Sequence, residues 1–115
     1  MTDSNLVVTS DELLNITTWP RRFMVVGAGV IGVEYASMFA ALGIEVTVVD
    51  KRDRPLEFLD RELVDELLHQ MRNVGVTFRL GQTVERLEVV EKPSRHVVVS
   101  LESGKRLVLD LVLFS

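Results

Sequence analysis

Three glycines, Gly27, Gly29 and Gly32, lie in a short turn between an apolar run and a helix-forming stretch. Gly27 permits a turn too tight for a Cβ atom, Gly29 lets the backbone approach a pyrophosphate, and Gly32 lets the helix pack close to the strands. The turn holds no lysine or arginine, so free N–H groups at the helix N-terminus would bind the anion. Eighteen residues after Gly32, Asp50 ends a second apolar run, where its carboxylate would accept hydrogen bonds from adenosine ribose hydroxyls. The spacing predicts a dinucleotide-binding site, with a chance strand–turn–helix as the alternative.

Positive side chains follow this acid directly. Lys51, Arg52 and Arg54 could pair with a ribose 2′-phosphate, the group that the charge of Asp50 would repel. A solvated loop of mixed charges is the alternative. An acid beside two or three cations suggests tolerance of both NAD and NADP.

Composition excludes several other classes of function. The 115 residues, 47% of them hydrophobic, indicate one soluble globular domain, and a formal charge of −4 argues against nucleic acid and anionic membranes as partners. Zero cysteines and two distant histidines predict no disulfide, no redox dithiol and no metal site. The phosphate-binding motif Gly-Lys-Ser/Thr is missing, which excludes the usual ATP or GTP site. No membrane-spanning run or signal peptide is visible, so we expect a cytoplasmic location.

Periodicity predicts parallel β-α-β-α-β order around the glycine turn. Residues 1–22 form a lead-in segment with a short extended piece at 6–8 and a short helix through Ile16. Strands are expected near 23–26, 45–49 and 76–80, with helices from Val30 to Leu42 and from about Asp60 to Asn73. In the second helix, the apolar face is predicted to comprise Leu63, Val64, Leu67, Leu68 and Met71.

After residue 81 the pattern changes to strands without helices. Runs near 84–89, 97–101 and 107–109 predict a three-stranded antiparallel meander, with a two-residue hairpin at Ser103-Gly104. Residues 111–114 form a last apolar strand that is expected to return to the parallel sheet. The predicted fold is α/β and Rossmann-like, of the FAD/NAD(P)-binding kind, with a single NAD(P)-binding domain over 23–115. Because the chain stops directly on this buried-looking strand, we expect it to be a piece of a longer protein.

This arrangement resembles the NAD(P) domain of the FAD-dependent pyridine nucleotide-disulfide oxidoreductases, the family of dihydrolipoamide dehydrogenase and glutathione reductase. The resemblance rests on residues 27–34, Leu42-Gly43, 58–60 and 109–115. It implies NAD and NADP as cofactors here and FAD in a domain outside this chain. It also implies an interface domain that builds a homodimer of the parent protein.

Within the family, residues 29–37, 52–54 and 58–60 most resemble the soluble pyridine nucleotide transhydrogenases, which move hydride between NADPH and NAD through FAD. A dihydrolipoamide dehydrogenase is the alternative, and an upstream pair of redox cysteines would separate the two. A stand-alone NAD-sensing or protein-interaction module is an alternative of another class. Since the chain has one glycine fingerprint and no redox cysteines, the isolated domain is expected to bind nucleotide without catalysis.

The resemblance also implies roles for individual residues. Glu34 would approach the nicotinamide and the flavin edge in the parent enzyme and orient a lysine of the FAD domain; a solvated helix carboxylate is the alternative. Val30 stands where glutathione reductase has a gating tyrosine, and Ile31 follows it in the fingerprint. Val84 would pass beside the adenine, or serve only as a core residue. Ser115 would lie near the nicotinamide half of the cofactor.

Overall fold

The computed structural model describes residues 6–13, 15–16 and 18–115, which form two β-sheets and three helices. In chain order the elements are β1 (Val7–Thr9), α1 (Ser10–Leu13), β2 (Arg22–Val26), α2 (Val30–Ala41), β3 (Glu45–Asp50), α3 (Arg61–Asn73), β4 (Val76–Leu80), β5 (Val84–Val90), β6 (His96–Leu101), β7 (Arg106–Leu109) and β8 (Leu111–Phe114). The α/β class and the change from parallel to antiparallel strands are confirmed.

The larger sheet is parallel, in the order β1-β8-β2-β3-β4. β8 returns to this sheet as predicted and inserts between β1 and β2, with Val112 opposite both Val7 and Met24. The lead-in segment therefore contributes a strand of the sheet, and Val8 and Leu13 are buried in its core. The short helix predicted through Ile16 ends at Leu13, and its next position, residue 14, lies outside the described residues.

Helix α2 is apolar nearly all round, because it lies flat on the sheet. Its Phe39 ring stacks on Phe23 of β2 with centroids 4.3 Å apart. The helix ends at Ala41, one residue earlier than predicted, and Gly43 follows with φ +87°. That left-handed conformation favours glycine after a helix C-terminus.

Helix α3 is amphipathic and begins where its cap predicts. The Asp60 side chain accepts a hydrogen bond from the Glu62 N–H at 2.9 Å, which satisfies one free donor of the first turn. Val64, Leu68 and Met71 are buried, whereas Leu63 is 62% exposed, so its assignment to the buried face was wrong. Spacing alone did not reveal this, because Leu63 stands at the edge of the apolar stripe, beside the buried Val64.

The smaller sheet is the predicted meander, in the order β5-β6-β7. It covers the opposite face of the parallel sheet, where its buried side chains pack on Met24, Val49 and Val112. The predicted two-residue hairpin is wrong. The Leu101 N–H donates to the Lys105 carbonyl at 2.8 Å, so three residues form the loop, and Gly104 takes φ +96°. A left-handed glycine at this position is typical of three-residue loops.

Candidate functional site

The glycine turn joins the carboxyl end of β2 to helix α2. Gly27 has φ +106°, and its N–H donates to the Val49 carbonyl at 2.8 Å, which ties the turn to β3. A Cβ on Gly27 would lie 2.5 Å from the Ser115 carbonyl oxygen. Both the left-handed backbone and the lack of space therefore require glycine here.

Gly29 and Gly32 differ sharply in what surrounds them. A Cβ on Gly32 would overlap the Gly27 carbonyl oxygen and lie 2.9 Å from the Ser115 Oγ and 3.0 Å from the Val25 Cγ1. Gly32 thus allows close approach of α2 to the strands. A Cβ on Gly29 would meet nothing within 4 Å, and Gly29 has ordinary extended angles, φ −81° and ψ −175°. The fold itself does not require glycine at position 29, whereas a close ligand would.

The N-terminus of α2 borders this open space. Gly29 is the N-cap residue and provides no side-chain hydrogen bond, and the first helical bond runs from the Val33 N–H to the Gly29 carbonyl at 3.0 Å. The N–H groups of the first turn have no partners inside the helix, and the helix dipole places partial positive charge there. Such a helix end suits an anion.

Asp50 closes the other side of the turn. Its carboxylate is 4% exposed and accepts hydrogen bonds from the Ala28 N–H at 2.6 Å and the Arg52 N–H at 2.8 Å. The Arg52 guanidinium adds two more, from Nε at 3.1 Å and from Nη2 at 2.8 Å. Burial alone would raise the pKa of Asp50, but the hydrogen bonds from Arg52 and Ala28 outweigh it and lower the pKa to about 2.

The same contacts raise the pKa of the Arg52 guanidinium. The largest cause of this increase is the hydrogen bond to Asp50. Sequence reasoning placed both residues at the site but missed their bidentate pairing. It also missed the backbone contacts from the end of β4: the Gly81 N–H donates to the Arg52 carbonyl at 3.0 Å, and the Gln82 N–H to the Asp50 carbonyl at 3.1 Å. The left-handed φ of Gly81, +68°, marks this turn, and a glycine directly after a predicted strand was the available signal.

The remaining predicted residues lie around this edge. Val30 and Ile31 are half-exposed at the start of α2, and Glu34 is exposed one turn later on the same helix. The Ser115 N–H donates to the Val26 carbonyl at 2.9 Å, which places Ser115 directly against Gly27 and Gly32.

Two predicted residues stand apart from the turn. Lys51 is exposed in the loop after β3. Val84 starts β5 and packs on the apolar cluster of the meander, two residues after the Gln82 contact to Asp50. The structure thus brings Gly27, Gly32 and Ser115 into contact and leaves Glu34 and Lys51 on the surface around them.

Comparison with known proteins decides the family. The family model described as pyridine nucleotide-disulphide oxidoreductase matches residues 2–115, nearly the whole chain. The chain belongs to the pyridine nucleotide-disulphide oxidoreductase family.

Relatives within this oxidoreductase family cover almost the same residues. The soluble pyridine nucleotide transhydrogenase of Mycobacterium tuberculosis is 47% identical over 113 residues, which is 98% of this chain and 24% of that protein. The enzyme of the same name from Ectopseudomonas mendocina is 44% identical over 108 residues, 94% of this chain and 23% of that protein. The chain therefore spans about a quarter of the length of the curated relatives it matches.

Solved structures place the fold in the same oxidoreductase family. The HOCl-induced flavoprotein disulfide reductase RclA from Escherichia coli matches with a TM-score of 0.87 at 34% identity, over 96% of this chain and 24% of that chain. The water-forming NADH oxidase from Lactobacillus brevis, solved with NADH bound, matches with a TM-score of 0.82 at 25% identity, over 96% of this chain and 25% of that chain.

Two kinds of feature are missing from the described part of the chain. None of its helices has both the length and the apolar character to cross a membrane. Within those same residues, no group of three or more histidine, cysteine, aspartate or glutamate side chains could hold a metal ion.

Proposed function

We propose that this chain is the nicotinamide-dinucleotide-binding domain of a soluble FAD-dependent transhydrogenase that moves hydride between NADPH and NAD. The proposal rests mainly on the open space at Gly29, where a Cβ atom would meet no protein atom. This space lies beside the free N–H groups at the start of α2. The names of the relatives, at 40–47% identity over at least 94% of the chain, support the transhydrogenase assignment. In the same proposal the parent is a cytoplasmic homodimer whose FAD and interface domains lie outside this chain.

In this proposal each part of the site has one task. The pyrophosphate lies on the N–H groups of the first turn of α2, where Gly29 leaves room and Gly32 keeps the helix close to the strand. Val30 and Ile31 line the approach to that turn, and Ser115 borders the nicotinamide half. The bound dinucleotide supplies or accepts the hydride, and the flavin of the parent relays it.

The adenosine half lies beside the acid in the same proposal. Asp50 accepts the ribose hydroxyls, Lys51 and Arg52 face a 2′-phosphate, and the backbone near Val84 passes beside the adenine. Glu34, exposed on α2, turns toward the flavin side in the parent. Asp50 is already ionised at neutral pH, because its pKa is about 2, so it can accept hydrogen bonds without losing a proton.

A calorimetric titration with NADH and NADPH tests the proposal on the wild-type chain and on Gly29→Ala. The added methyl group fits the free fold, so the unfolding transition should stay within about 0.5 kcal/mol of wild type. Affinity for both nucleotides should fall about tenfold or more, because the methyl holds the pyrophosphate away from charge-assisted hydrogen bonds.

Gly43→Ala is the matched control. It adds the same methyl in open space at the far end of α2, where φ is +87°. This variant should lose about 1 kcal/mol of stability and keep its nucleotide affinity. Equal affinity of wild type and Gly29→Ala would refute the assigned pyrophosphate site. In the full-length parent, the transhydrogenase activity would be refuted if NADPH reduced the FAD but NAD failed to reoxidise it.

A further inference from the structure

The carboxylate of Asp50 has two donors on each oxygen. Oδ1 accepts from the Arg52 N–H and the Arg52 Nε, and Oδ2 accepts from the Ala28 N–H and the Arg52 Nη2. An ionised carboxylate offers about four such positions in all. The hydrogen-bonding capacity of Asp50 is therefore filled in the free protein.

The four donors differ in how firmly they are fixed. Two are backbone N–H groups, one on each oxygen, and belong to the turn after β2 and to the loop after β3. The other two belong to the guanidinium, on a side chain that is 43% exposed above an acid that is 4% exposed. The guanidinium can therefore be displaced, whereas the backbone donors hold the carboxylate in place.

An adenosine ribose diol needs the two positions on the Asp50 carboxylate that the Arg52 guanidinium occupies. Its two neighbouring hydroxyls bind a carboxylate by donating one hydrogen bond to each oxygen, and the guanidinium fork donates in that same pattern. Since the backbone donors cannot leave without moving the turn, a diol must displace the side chain of Arg52. This displacement breaks a bidentate ion pair.

We infer that Arg52 competes with the adenosine ribose for Asp50 and thereby weakens NAD(H) binding while strengthening NADP(H) binding. The inference rests on the proposed nucleotide site. NAD brings no partner for the displaced guanidinium, so the broken ion pair is a net cost. NADP brings a 2′-phosphate, which accepts two hydrogen bonds from the displaced guanidinium and offsets the loss of its ion pair with Asp50. Arg52 therefore sets specificity partly by opposing the smaller cofactor.

Titration of the 115-residue chain with ADP-ribose and with 2′-phospho-ADP-ribose tests the inference, because neither probe needs the nicotinamide half. Arg52→Ala should bind ADP-ribose about fivefold more tightly than wild type, a change typical of one half-exposed ion pair. It should bind 2′-phospho-ADP-ribose at least tenfold more weakly, since a charge-assisted contact is lost and Asp50 is left uncompensated.

Two further variants separate the competing explanations. Arg52→Lys keeps the charge but cannot make the bidentate contact of a guanidinium with Asp50. Its affinity for ADP-ribose should therefore lie between those of wild type and Arg52→Ala. Arg61→Ala removes the same charge from the exposed start of α3, where the side chain lines a separate cavity, and should leave ADP-ribose affinity unchanged. Tighter binding is the decisive readout, because damage to the fold weakens binding.

Unchanged or weaker ADP-ribose binding by folded Arg52→Ala and Arg52→Lys would overturn the competition. Equal tightening in Arg61→Ala would overturn it as well, since general loss of positive charge would then be the cause. If wild type bound neither probe nor NADH, the proposed function itself would fail; binding of NADH with no gain in the Arg52 variants would refute the competition alone.

Discussion

Replacing Asp50 with asparagine should remove a pH-dependent part of the stability of this domain. The folded protein lowers the pKa of Asp50 from 3.8 to about 2, nearly two units at 1.36 kcal/mol each. Because Arg52 is 43% exposed, solvent screens part of that interaction, so we expect the ionised carboxylate to stabilise the fold by about 1 to 2 kcal/mol. The asparagine amide also turns its NH₂ group toward two of the four donors, because each carboxylate oxygen accepts from two of them.

The direction of the pH dependence follows from the lowered pKa. A carboxyl group whose pKa is lower in the folded state stabilises fully above its unfolded pKa, here 3.8, and loses that stabilisation as pH falls toward 2. Urea unfolding at pH 7, 5 and 3 should therefore show wild type more stable than Asp50→Asn at pH 7 and 5. The gap should shrink by about 1 kcal/mol at pH 3.

The other carboxylates titrate in both proteins, so the difference between the two curves isolates Asp50. Asp53→Asn is the control, because it removes the same charge from an exposed position in the same loop, and at pH 7 its free energy of unfolding should stay within about 0.5 kcal/mol of wild type. A gap that stays constant from pH 7 to 3 would refute the reasoning. So would a ¹³C titration of the Asp50 carboxyl with a midpoint at or above 3.8.

Two further substitutions test the packing around the turn and the start of the sheet. Gly32→Ala should lower the free energy of unfolding by about 2 kcal/mol or more, because its Cβ would overlap a backbone carbonyl. Gly29→Ala should change the free energy of unfolding by less than about 0.5 kcal/mol. Equal melting temperatures for these two variants would contradict the geometry. Asp110→Ala should cost about 1 to 3 kcal/mol, since its carboxylate accepts from two consecutive backbone N–H groups at 2.9 and 2.8 Å; unchanged urea unfolding would show that water replaces those bonds without cost.

Local sequence signals predicted the parts of the fold that backbone geometry determines. Gly27 and Gly43 lie at left-handed positions that follow a strand and a helix, and Asp60 caps the helix that follows it. Each depends on a few neighbouring residues, so a single sequence contains the information. The position of Asp50 at the end of the second parallel strand is equally local.

Side-chain placement and non-local pairing were not predictable in the same way. Whether Arg52 lies on Asp50 or extends into solvent depends on a rotamer choice that a loop sequence does not determine. The exposure of Leu63 depends on how far α3 turns toward the sheet, and the pairing of Val7 with Val112 joins residues from opposite ends of the chain. Binding of nucleotide by these residues stays a prediction.

The insertion of β8 between β1 and β2 has a consequence for the order of folding. β1 lies at the sheet edge and pairs with a strand about a hundred residues later, so its pairing requires closure of a long loop and should come late. Ser115 reaches Gly27 and Gly32 only through β8, which means that the glycine turn gains its final shape at the same step. A chain emerging from the ribosome would then complete its glycine turn only after residue 115 had left the exit tunnel. Amide protons of β1 should accordingly become protected from exchange together with those of β8, after the β2–β3–β4 unit has formed.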